Sequence, residues 1–385
     1  MKRILAAALG VLLLAALPLS AGAATLAEAG KSAVLMDVTT GTVLYEHNSH
    51  EALAPASVTK VMTMLLIMEA VDSGKISLAD TVTASEAAAA KGGSQIYLKA
   101  GETMRASDML KSIAVSSAND CACAMAEHIS GSESAFVEAM NQRAKELGMQ
   151  DTHFVNCTGL DDDDSAKLHR TSAYDIALMS RELLKNHPDI KKYTTIWMDT
   201  VRNGTFGLSN TNKLIRFYPG ATGLKTGYTS GAGYCLSASA QKEGMELIAV
   251  VMGARTSQTR NAACKELLDY GFANFAVVTP EPEALPQVAV RLGKQAQVPA
   301  RMAESAGMLI EKSQRSGITT EISLKESVAA PVTRGQTLGS LAVKSGEQIL
   351  RQIPLVAAED VEKLTTGDIF LAVLRKAAMA KETQG

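Results

Sequence analysis

Two patterns of hydrophobic and polar positions follow one another along the chain. Between residues 25 and 275, apolar side chains recur at helical spacing in some segments and form strand-like runs in others. The predicted helices span residues 57–71, 109–129, 135–147 and 172–184, and the predicted strands span residues 32–38, 234–239 and 246–252. Because the strands come from both ends of this segment and the helices from its middle, the pattern predicts an α+β domain whose sheet joins early and late chain.

A different pattern begins after Pro280, Pro282 and Pro286, which mark a predicted linker. Apolar residues alternate at 288–292 and 320–324, and glycine-containing turns lie at 334–335 and 344–346. This predicts a small all-β domain that ends near Val361.

The end of the chain has the pattern of an amphipathic helix over residues 367–380. Basic residues 375 and 376 lie beside an apolar arc formed by Ile369, Phe370, Val373, Leu374 and Ala377. Such a helix either lies on a membrane surface or packs on its own domain, and the pattern leaves both possibilities open.

The first 23 residues have the three parts of a secretory signal peptide. Lys2 and Arg3 are basic, residues 4–19 form an apolar run, and residues 21–23 fit the small-residue cleavage rule. An uncleaved anchor is the alternative, but the run is short for a span and Pro18 interrupts it. We therefore expect an exported protein that is extracytoplasmic or peripheral on the outer face of the cytoplasmic membrane. The expected units are a signal peptide (1–23), a catalytic domain (24–278), a β domain (279–362) and a tail (363–385).

Composition narrows the function mainly by exclusion. With 38 Lys+Arg, 40 Asp+Glu and 46% hydrophobic residues, the chain is ordinary globular protein without the basic excess of a nucleic-acid binder. Export argues against cytoplasmic cofactors such as NAD or ATP. The five cysteines, at positions 121, 123, 157, 235 and 264, contain no C-x-x-C pair. They therefore indicate neither a zinc site nor a dense disulfide framework, and we expect buried free thiols.

The first motif with chemical meaning is Ser57-Val58-Thr59-Lys60, at the start of a predicted helix. Serine and lysine three positions apart share one helix face, where an unprotonated amine could act as base for the hydroxyl. The helix N-terminus also offers amide N–H groups to an oxyanion. Alone, the motif is weak, because Ser239 and Lys242 form a second S-x-x-K and an isolated Ser57 could simply cap a helix.

Two further motifs follow in the chain. In Ser117-Ala118-Asn119, a hydroxyl could relay a proton and a carboxamide could hold a substrate amide, although helix capping explains a lone S-x-N equally well. Lys225-Thr226-Gly227 precedes a predicted strand, and its glycine lets a substrate backbone approach closely. The order S-x-x-K, S-x-N, K-T-G is the set known in penicillin-binding proteins and class A β-lactamases.

With these motifs the mature chain resembles the low-molecular-mass penicillin-binding proteins, which are serine D-alanyl-D-alanine carboxypeptidases of the peptidase S11 family. The supporting runs are residues 56–60, 116–120, 223–229 and 253–256. The resemblance implies a β-lactamase/transpeptidase-like catalytic domain with its site between the sheet and a helical cluster. It implies removal of the terminal D-alanine from peptidoglycan pentapeptide stems, covalent inhibition by β-lactams, and no metal or organic cofactor.

The resemblance also implies the catalytic roles. Ser57 would be the acylated nucleophile, Lys60 its general base and Ser117 a proton relay. Lys225 would add positive charge near Lys60 and so lower the pKa of Lys60. A low pKa is required because the base must be neutral at physiological pH.

The remaining matches would hold the substrate. Asn119 would orient the substrate peptide, and Thr226 and Arg255 would bind its terminal carboxylate. Only the resemblance supports the role of Arg255, and a surface salt bridge is the alternative. Backbone N–H groups of Ser57 and Tyr228 would form the oxyanion hole. The expected substrate-binding residues are Asn119, Lys225, Thr226, Gly227, Tyr228 and Arg255.

Other functions stay open at this point. A class A β-lactamase would need S-D-N, but residue 118 is alanine, and the E-x-x-x-N match at Glu182 and Asn186 falls in a predicted helix. A Ser-His-Asp hydrolase would show G-x-S-x-G, which is absent from the sequence. A catalytically idle cell-wall binding protein would usually have lost one of the motif residues. The acidic run 161–164 lacks the ligand spacing of a calcium loop and indicates a solvated loop.

Overall fold

The computed structural model describes residues 30–162, 164–279, 284–304 and 307–371. The predicted signal peptide, Pro280 and Pro282 of the predicted linker, and most of the predicted C-terminal helix lie outside the described residues. None of the described helices combines the length and the apolar composition needed to span a bilayer.

The first large unit, up to residue 274, combines strands from both ends with helices from its middle. Its described strands are β1 (Ser32–Asp37), β2 (Val43–His47), β3 (Thr81–Thr83), β4 (Thr103–Arg105), β5 (Met198–Val201), β6 (Phe206–Ser209), β7 (Ala221–Thr229), β8 (Gly233–Lys242) and β9 (Met245–Ala254). Its described helices are α1 (Lys60–Asp72), α2 (Glu86–Ala89), α3 (Ala106–Ser116), α4 (Asn119–Ser130), α5 (Glu133–Glu146), α6 (Ala173–Asn186), α7 (Lys191–Thr194), α8 (Leu214–Phe217) and α9 (Ser257–Asn274). Short 3₁₀ helices span Ala56–Thr59, Asp164–Leu168 and Pro188–Ile190.

A five-stranded antiparallel sheet in the order β2-β1-β9-β8-β7 separates two layers of helices. Successive residues of β1 and β9 point to opposite faces, so Met36 and Val250 join the core under α1, α3 and α4, whereas Leu35 and Val251 join the core under α9. Burial of both faces explains why these strands are almost continuously apolar. The predicted α+β architecture is confirmed, with the K-T-G strand at one edge of the sheet.

One sequence expectation needs correction, and the strand that carries one of the motifs is not predicted from the sequence. The helix predicted over residues 109–129 is two helices, α3 and α4, because Ser117 adopts a left-handed backbone conformation with φ of 63° between them. Apolar periodicity runs through the break because both helices bury a face in the same core. In addition, Lys225-Thr226-Gly227 lies within a strand that the sequence pattern does not predict, β7, and the predicted strand, β8, follows it.

The C-terminal part is an all-β unit, as predicted. β10 (Phe275–Val278) leaves α9 and pairs with β13 (Met308–Glu311). A six-stranded sheet in the order β14-β16-β17-β12-β11-β15 follows. Its strands are β11 (Gln287–Arg291), β12 (Gln297–Met302), β14 (Ile318–Leu324), β15 (Ser327–Ala329), β16 (Thr337–Ser345) and β17 (Gln348–Ala357), with a 3₁₀ helix at Lys312–Gly317. Residues 366–371 are helical at the end of the described chain.

Candidate active site

Ser57 lies in a tight turn that leads directly into α1. We call residues 55–59 the Ser57 turn; its 3₁₀ helix ends at Thr59 and α1 begins at Lys60. The three-residue spacing brings the Lys60 Nζ atom to 3.0 Å from the Ser57 Oγ atom. Lys60 is completely buried, and its Nζ also donates a hydrogen bond of 2.7 Å to the carbonyl of Thr158. The structure therefore brings the predicted nucleophile and base into hydrogen-bond contact.

Burial makes Lys60 a usable base. Removal from water disfavours the charged amine and lowers the pKa of Lys60 to about 7. At neutral pH, a large fraction of this side chain is therefore unprotonated and can accept the Ser57 proton.

The structure changes the expected electrostatic role of Lys225. Burial, and not the charge of Lys225, is the main cause of the lowered pKa of Lys60. Lys225 is itself fully buried, and its pKa is held well below the usual range by burial first, then by the charges of Lys60 and Arg260. Its Nζ donates to the Thr226 carbonyl at 2.9 Å.

Ser117 and Asn119 are presented by the break between α3 and α4. Both are buried, and among the described residues the Ser117 Oγ and Asn119 Oδ1 atoms lack hydrogen-bond partners. The other half of the Asn119 carboxamide is fixed, because Nδ2 donates to the Gly92 carbonyl at 2.7 Å. Unpaired buried polar atoms are rare in folded proteins. These two atoms therefore have hydrogen-bonding capacity that the described residues leave unused.

Asp120, the next residue, fastens the loop that borders Asn119. Its fully buried carboxylate accepts hydrogen bonds from the amides of Ile96 and Leu98, at 3.1 Å and 3.0 Å. The Asn119 amide donates to the Ser94 carbonyl in the same loop at 2.7 Å. Asp120 appeared in the sequence only as part of a matching run, and no local pattern revealed this supporting role.

Strand β7 closes the other side of the site. A Cβ atom at Gly227 would lie 2.6 Å from the Pro55 carbonyl oxygen and 3.0 Å from the Ser57 amide nitrogen. The sequence predicts that a substrate backbone approaches this glycine closely. In the structure, the backbone that does so is that of the Ser57 turn. Thr226 is nearly buried, and its hydroxyl donates to Thr211 Oγ1 at 2.7 Å.

Tyr228 and Arg255 lie at the edge of this arrangement. The Tyr228 ring is 56% exposed and lies 4.3 Å, between ring centroids, from the ring of Tyr234 on β8. Arg255 is exposed in the short connection between β9 and α9, and its carboxylate-binding role stays a prediction. The guanidinium that acts electrostatically on Lys225 is Arg260 of α9, which is buried and donates to the Cys235 carbonyl. Sequence analysis did not identify Arg260 or Thr211.

Glu182, the glutamate of the E-x-x-x-N match, lies in a cluster of side chains whose carboxylates have partners within the protein. Glu69, Glu182 and His187 lie close enough to surround an ion, but Arg143 donates to Glu69 at 2.7 Å and to Glu182 at 2.6 Å. Glu182 also accepts from Asn186 on the same helix, α6. The E-x-x-x-N pair thus belongs to an ion-pair network between α1, α5 and α6. All five cysteines are buried and free, as expected.

Known proteins are similar to this chain over most of its length. The family model for D-alanyl-D-alanine carboxypeptidase matches residues 20–256, and the model for the penicillin-binding protein 5 C-terminal domain matches residues 280–363. The chain is 47% identical to the D-alanyl-D-alanine carboxypeptidase DacF of Bacillus subtilis, covering 88% of this chain and 87% of the relative.

Solved structures show the same similarity. Penicillin-binding protein 5 from Haemophilus influenzae is 30% identical, with a TM-score of 0.75 over 87% of this chain and 98% of that structure. Penicillin-binding protein D2 from Listeria monocytogenes, in its ampicillin-bound form, is 31% identical, with a TM-score of 0.58 over 63% of this chain and 98% of that structure.

Proposed function

The chain belongs to the D-alanyl-D-alanine carboxypeptidase family, and we propose that it removes the terminal D-alanine of peptidoglycan pentapeptide stems through an acyl-enzyme on Ser57. The observation that carries this proposal is the contact of the Ser57 Oγ atom with a fully buried lysine whose pKa is lowered to about 7.

Acylation follows from that contact. Unprotonated Lys60 takes the Ser57 hydroxyl proton while Oγ attacks the carbonyl carbon between the last two D-alanines. The amide N–H groups of Ser57 and Tyr228 stabilise the oxyanion, and loss of such a donor costs about 10²–10³ in rate in other enzymes. Collapse of the intermediate breaks the peptide bond as Lys60 gives its proton to Ser117 and Ser117 passes a proton to the leaving amine of D-alanine, which leaves Lys60 neutral and Ser117 a hydroxyl again.

Deacylation repeats the chemistry with water. Lys60 takes a proton from the attacking water, the ester carbonyl passes through a second oxyanion, and the proton returns to Ser57 as the shortened stem leaves. Protein groups supply each proton transfer in this scheme, so it requires no metal or organic cofactor.

The substrate is held from three sides. The free Oδ1 atom of Asn119 accepts an amide N–H of the stem peptide. Thr226, Lys225 and Arg255 bind the terminal carboxylate. Burial lowers the pKa of Lys225, and the negative charge of the bound carboxylate favours its protonated form again. An enzyme that requires this carboxylate cleaves only at a free C-terminus.

β-Lactams and cellular placement complete the proposal. Ampicillin is bound to the Listeria protein D2, and β-lactams acylate Ser57 here, since their amide imitates the D-Ala-D-Ala bond. The pattern of residues 1–23 supports export, and the apolar arc at residues 367–380 supports peripheral contact with the outer face of the cytoplasmic membrane.

The test combines a Ser57→Ala variant with two substrates. We expect loss of D-alanine release from a diacyl-D-Ala-D-Ala peptide and loss of covalent penicillin labelling, both measured by mass spectrometry. Ser239→Ala, in the second S-x-x-K, is the matched control and keeps both activities. Retained D-alanine release in Ser57→Ala contradicts the proposal. Rapid penicillin turnover by the unmodified protein indicates a β-lactamase, and absence of labelling indicates an idle binding protein.

A further inference from the structure

A buried histidine lies behind the Ser57 turn and has no part in the chemistry described above. His169 is 3% exposed, and its ring packs in a T-shaped arrangement with the ring of Phe154, with 5.6 Å between the ring centroids. Its Nε2 atom lies 2.8 Å from the Thr59 Oγ1 atom, although the two residues are 110 positions apart in the sequence.

The hydrogen bonds around His169 define its tautomer. The Val155 amide donates to His169 Nδ1 at 3.1 Å, so Nδ1 is an acceptor and the ring proton is on Nε2. The Thr59 hydroxyl donates to the Ala56 carbonyl at 2.8 Å, so it accepts from Nε2. Burial lowers the pKa of His169 to about 4, which keeps the ring neutral in this arrangement at physiological pH.

The last acceptor in this series of hydrogen bonds, the Ala56 carbonyl, belongs to the peptide unit that joins Ala56 to the nucleophile Ser57. The Ala56 carbonyl and the Ser57 N–H are the two ends of one planar trans peptide, so fixing the oxygen also fixes the direction of the N–H. Ala56 has a φ of 48°, which is uncommon for a residue with a side chain and requires surrounding contacts to maintain it.

A second contact holds the same carbonyl. Gly159 has a φ of 81°, and a Cβ atom there would lie 1.9 Å from the Ala56 oxygen and 2.7 Å from Thr59 Oγ1. The backbone of Gly159 is thus packed directly against the carbonyl. Asn156 holds this segment by accepting from the Gly159 amide at 2.7 Å.

We propose that His169 is a positioning residue for the oxyanion hole. Its Nε2–H orients the Thr59 hydroxyl, which fixes the Ala56 carbonyl and thereby aims the Ser57 amide N–H at the developing oxyanion. The inference rests on the proposed function of the Ser57 amide as an oxyanion donor. Hydrogen bonds weaken steeply as their angle departs from linearity, so a modest rotation of this peptide slows acylation.

Two substitutions of His169 separate the donor from the rest of the ring. The amide nitrogen of glutamine can occupy the position of Nε2 and donate to Thr59, whereas asparagine reaches only the position of Nδ1. We expect His169→Asn to slow the first-order acylation of Ser57 by penicillin about 10- to 100-fold, and His169→Gln to retain most of the rate. Thr59→Val and Thr59→Ser give the same contrast from the other end of the hydrogen bond.

The readouts distinguish positioning from general loosening of the site. A positioning role lowers the acylation rate constant, leaves the dissociation constant of the initial penicillin complex within about twofold, and leaves the Lys60 limb of the pH profile in place. Thermal unfolding verifies that each variant is folded. His153→Asn, at an exposed histidine of the neighbouring segment, is the control and acylates at the unmodified rate.

Several results would overturn the inference. The inference is contradicted if His169→Asn and His169→Gln lose the same amount of acylation rate. It is also contradicted if the rate is unchanged in both His169→Asn and Thr59→Val, or if a slower rate is accompanied by weaker initial binding of penicillin and a displaced pH limb. If His169→Asn does not fold, the Thr59 pair decides. Failure of the unmodified protein to label at Ser57 is a failure of the proposed function, and it is recognised before any variant is compared.

Discussion

At the scale of single residues, removal from water changes the chemistry of an ordinary amine. Lys60 and Lys225 are both fully buried, and burial is the first cause of the lowered pKa of each. The motif S-x-x-K supplies only the spacing. The enclosure by α1, the Thr158 carbonyl and the neighbouring core converts that spacing into a nucleophile with an adjacent base.

The lowered pKa predicts how acylation depends on pH. Because only unprotonated Lys60 can take the Ser57 proton, the second-order rate constant for acylation by penicillin should rise as the pH increases through about 7 and then level off. In Lys60→Arg, the arginine side chain stays protonated throughout this range. The acylation rate of this variant should be lower by about 10³-fold, and its pH profile should lack the limb at about 7. Stopped-flow measurement from about pH 5.5 to about pH 8.5 covers both sides of this limb and checks both expectations. A flat profile, or an active arginine variant, contradicts the assignment of Lys60 as base.

At the scale of secondary structure, the site depends on where elements stop. Ser117 ends α3 in the left-handed region, and α4 begins at Asn119 immediately after this reversal, so the break between the two helices carries both residues. A continuous helix over this segment would place residues 117 and 119 on different faces. The break therefore has a functional consequence that apolar periodicity does not reveal.

A glycine at position 117 separates backbone geometry from chemistry. Glycine adopts positive φ without steric cost, so Ser117→Gly should leave the free energy of unfolding within about 1 kcal/mol of the original value. Loss of the hydroxyl should slow D-alanine release about 100-fold, since the proton relay is removed. Ser116→Ala, one position earlier in α3, should keep the rate. Urea unfolding and D-alanine assays test this, and an active, folded Ser117→Gly would remove the relay role.

Much of the architecture could be predicted from sequence because its signals are local. Apolar runs gave the central strands β1, β8 and β9, and residue types in three motifs gave the chemical groups of the site. The supporting contacts had no such signal. Every residue has a backbone carbonyl, so nothing in the sequence marks that of Thr158 as the partner of Lys60. The pairing of Thr59 with His169 depends on the tertiary fold.

At the scale of the whole molecule, the two units are joined by strand pairing as well as by the linker. β10 continues from α9 and pairs with β13, so the chain contacts the β unit before residue 279. The predicted domain boundary at 278 and 279 remains a prediction, and its basis, a cluster of prolines, could not reveal this pairing. Proline content signals where regular structure stops, whereas strand partners depend on residues distant in the chain.

Global stability should decrease in acid partly because of His169. Its pKa is lowered from 6.5 to about 4 in the folded chain, so between these values the unfolded chain binds a proton that the folded chain does not. Stability from this group is complete above pH 6.5 and is lost as the pH falls towards 4, by about 3 kcal/mol. Asp37 and Asp175 act in the opposite direction, because burial raises the pKa of each carboxyl and favours protonation in the folded state.

A glutamine at position 169 isolates this contribution from the opposing carboxyls. His169→Gln can keep the hydrogen bond to Thr59 but does not titrate, so its free energy of unfolding should lack the loss in acid that His169 causes, while the carboxyl contributions remain. Urea unfolding of both proteins at pH values from about 7 down to about 4 checks this in the interval set by the two pKa values. The difference between them should change by about 3 kcal/mol across the interval, in favour of the glutamine variant in acid. Parallel curves would show that His169 takes up its proton over the same pH range in the folded and in the unfolded chain, and below that range its Nδ1 could no longer accept from Val155.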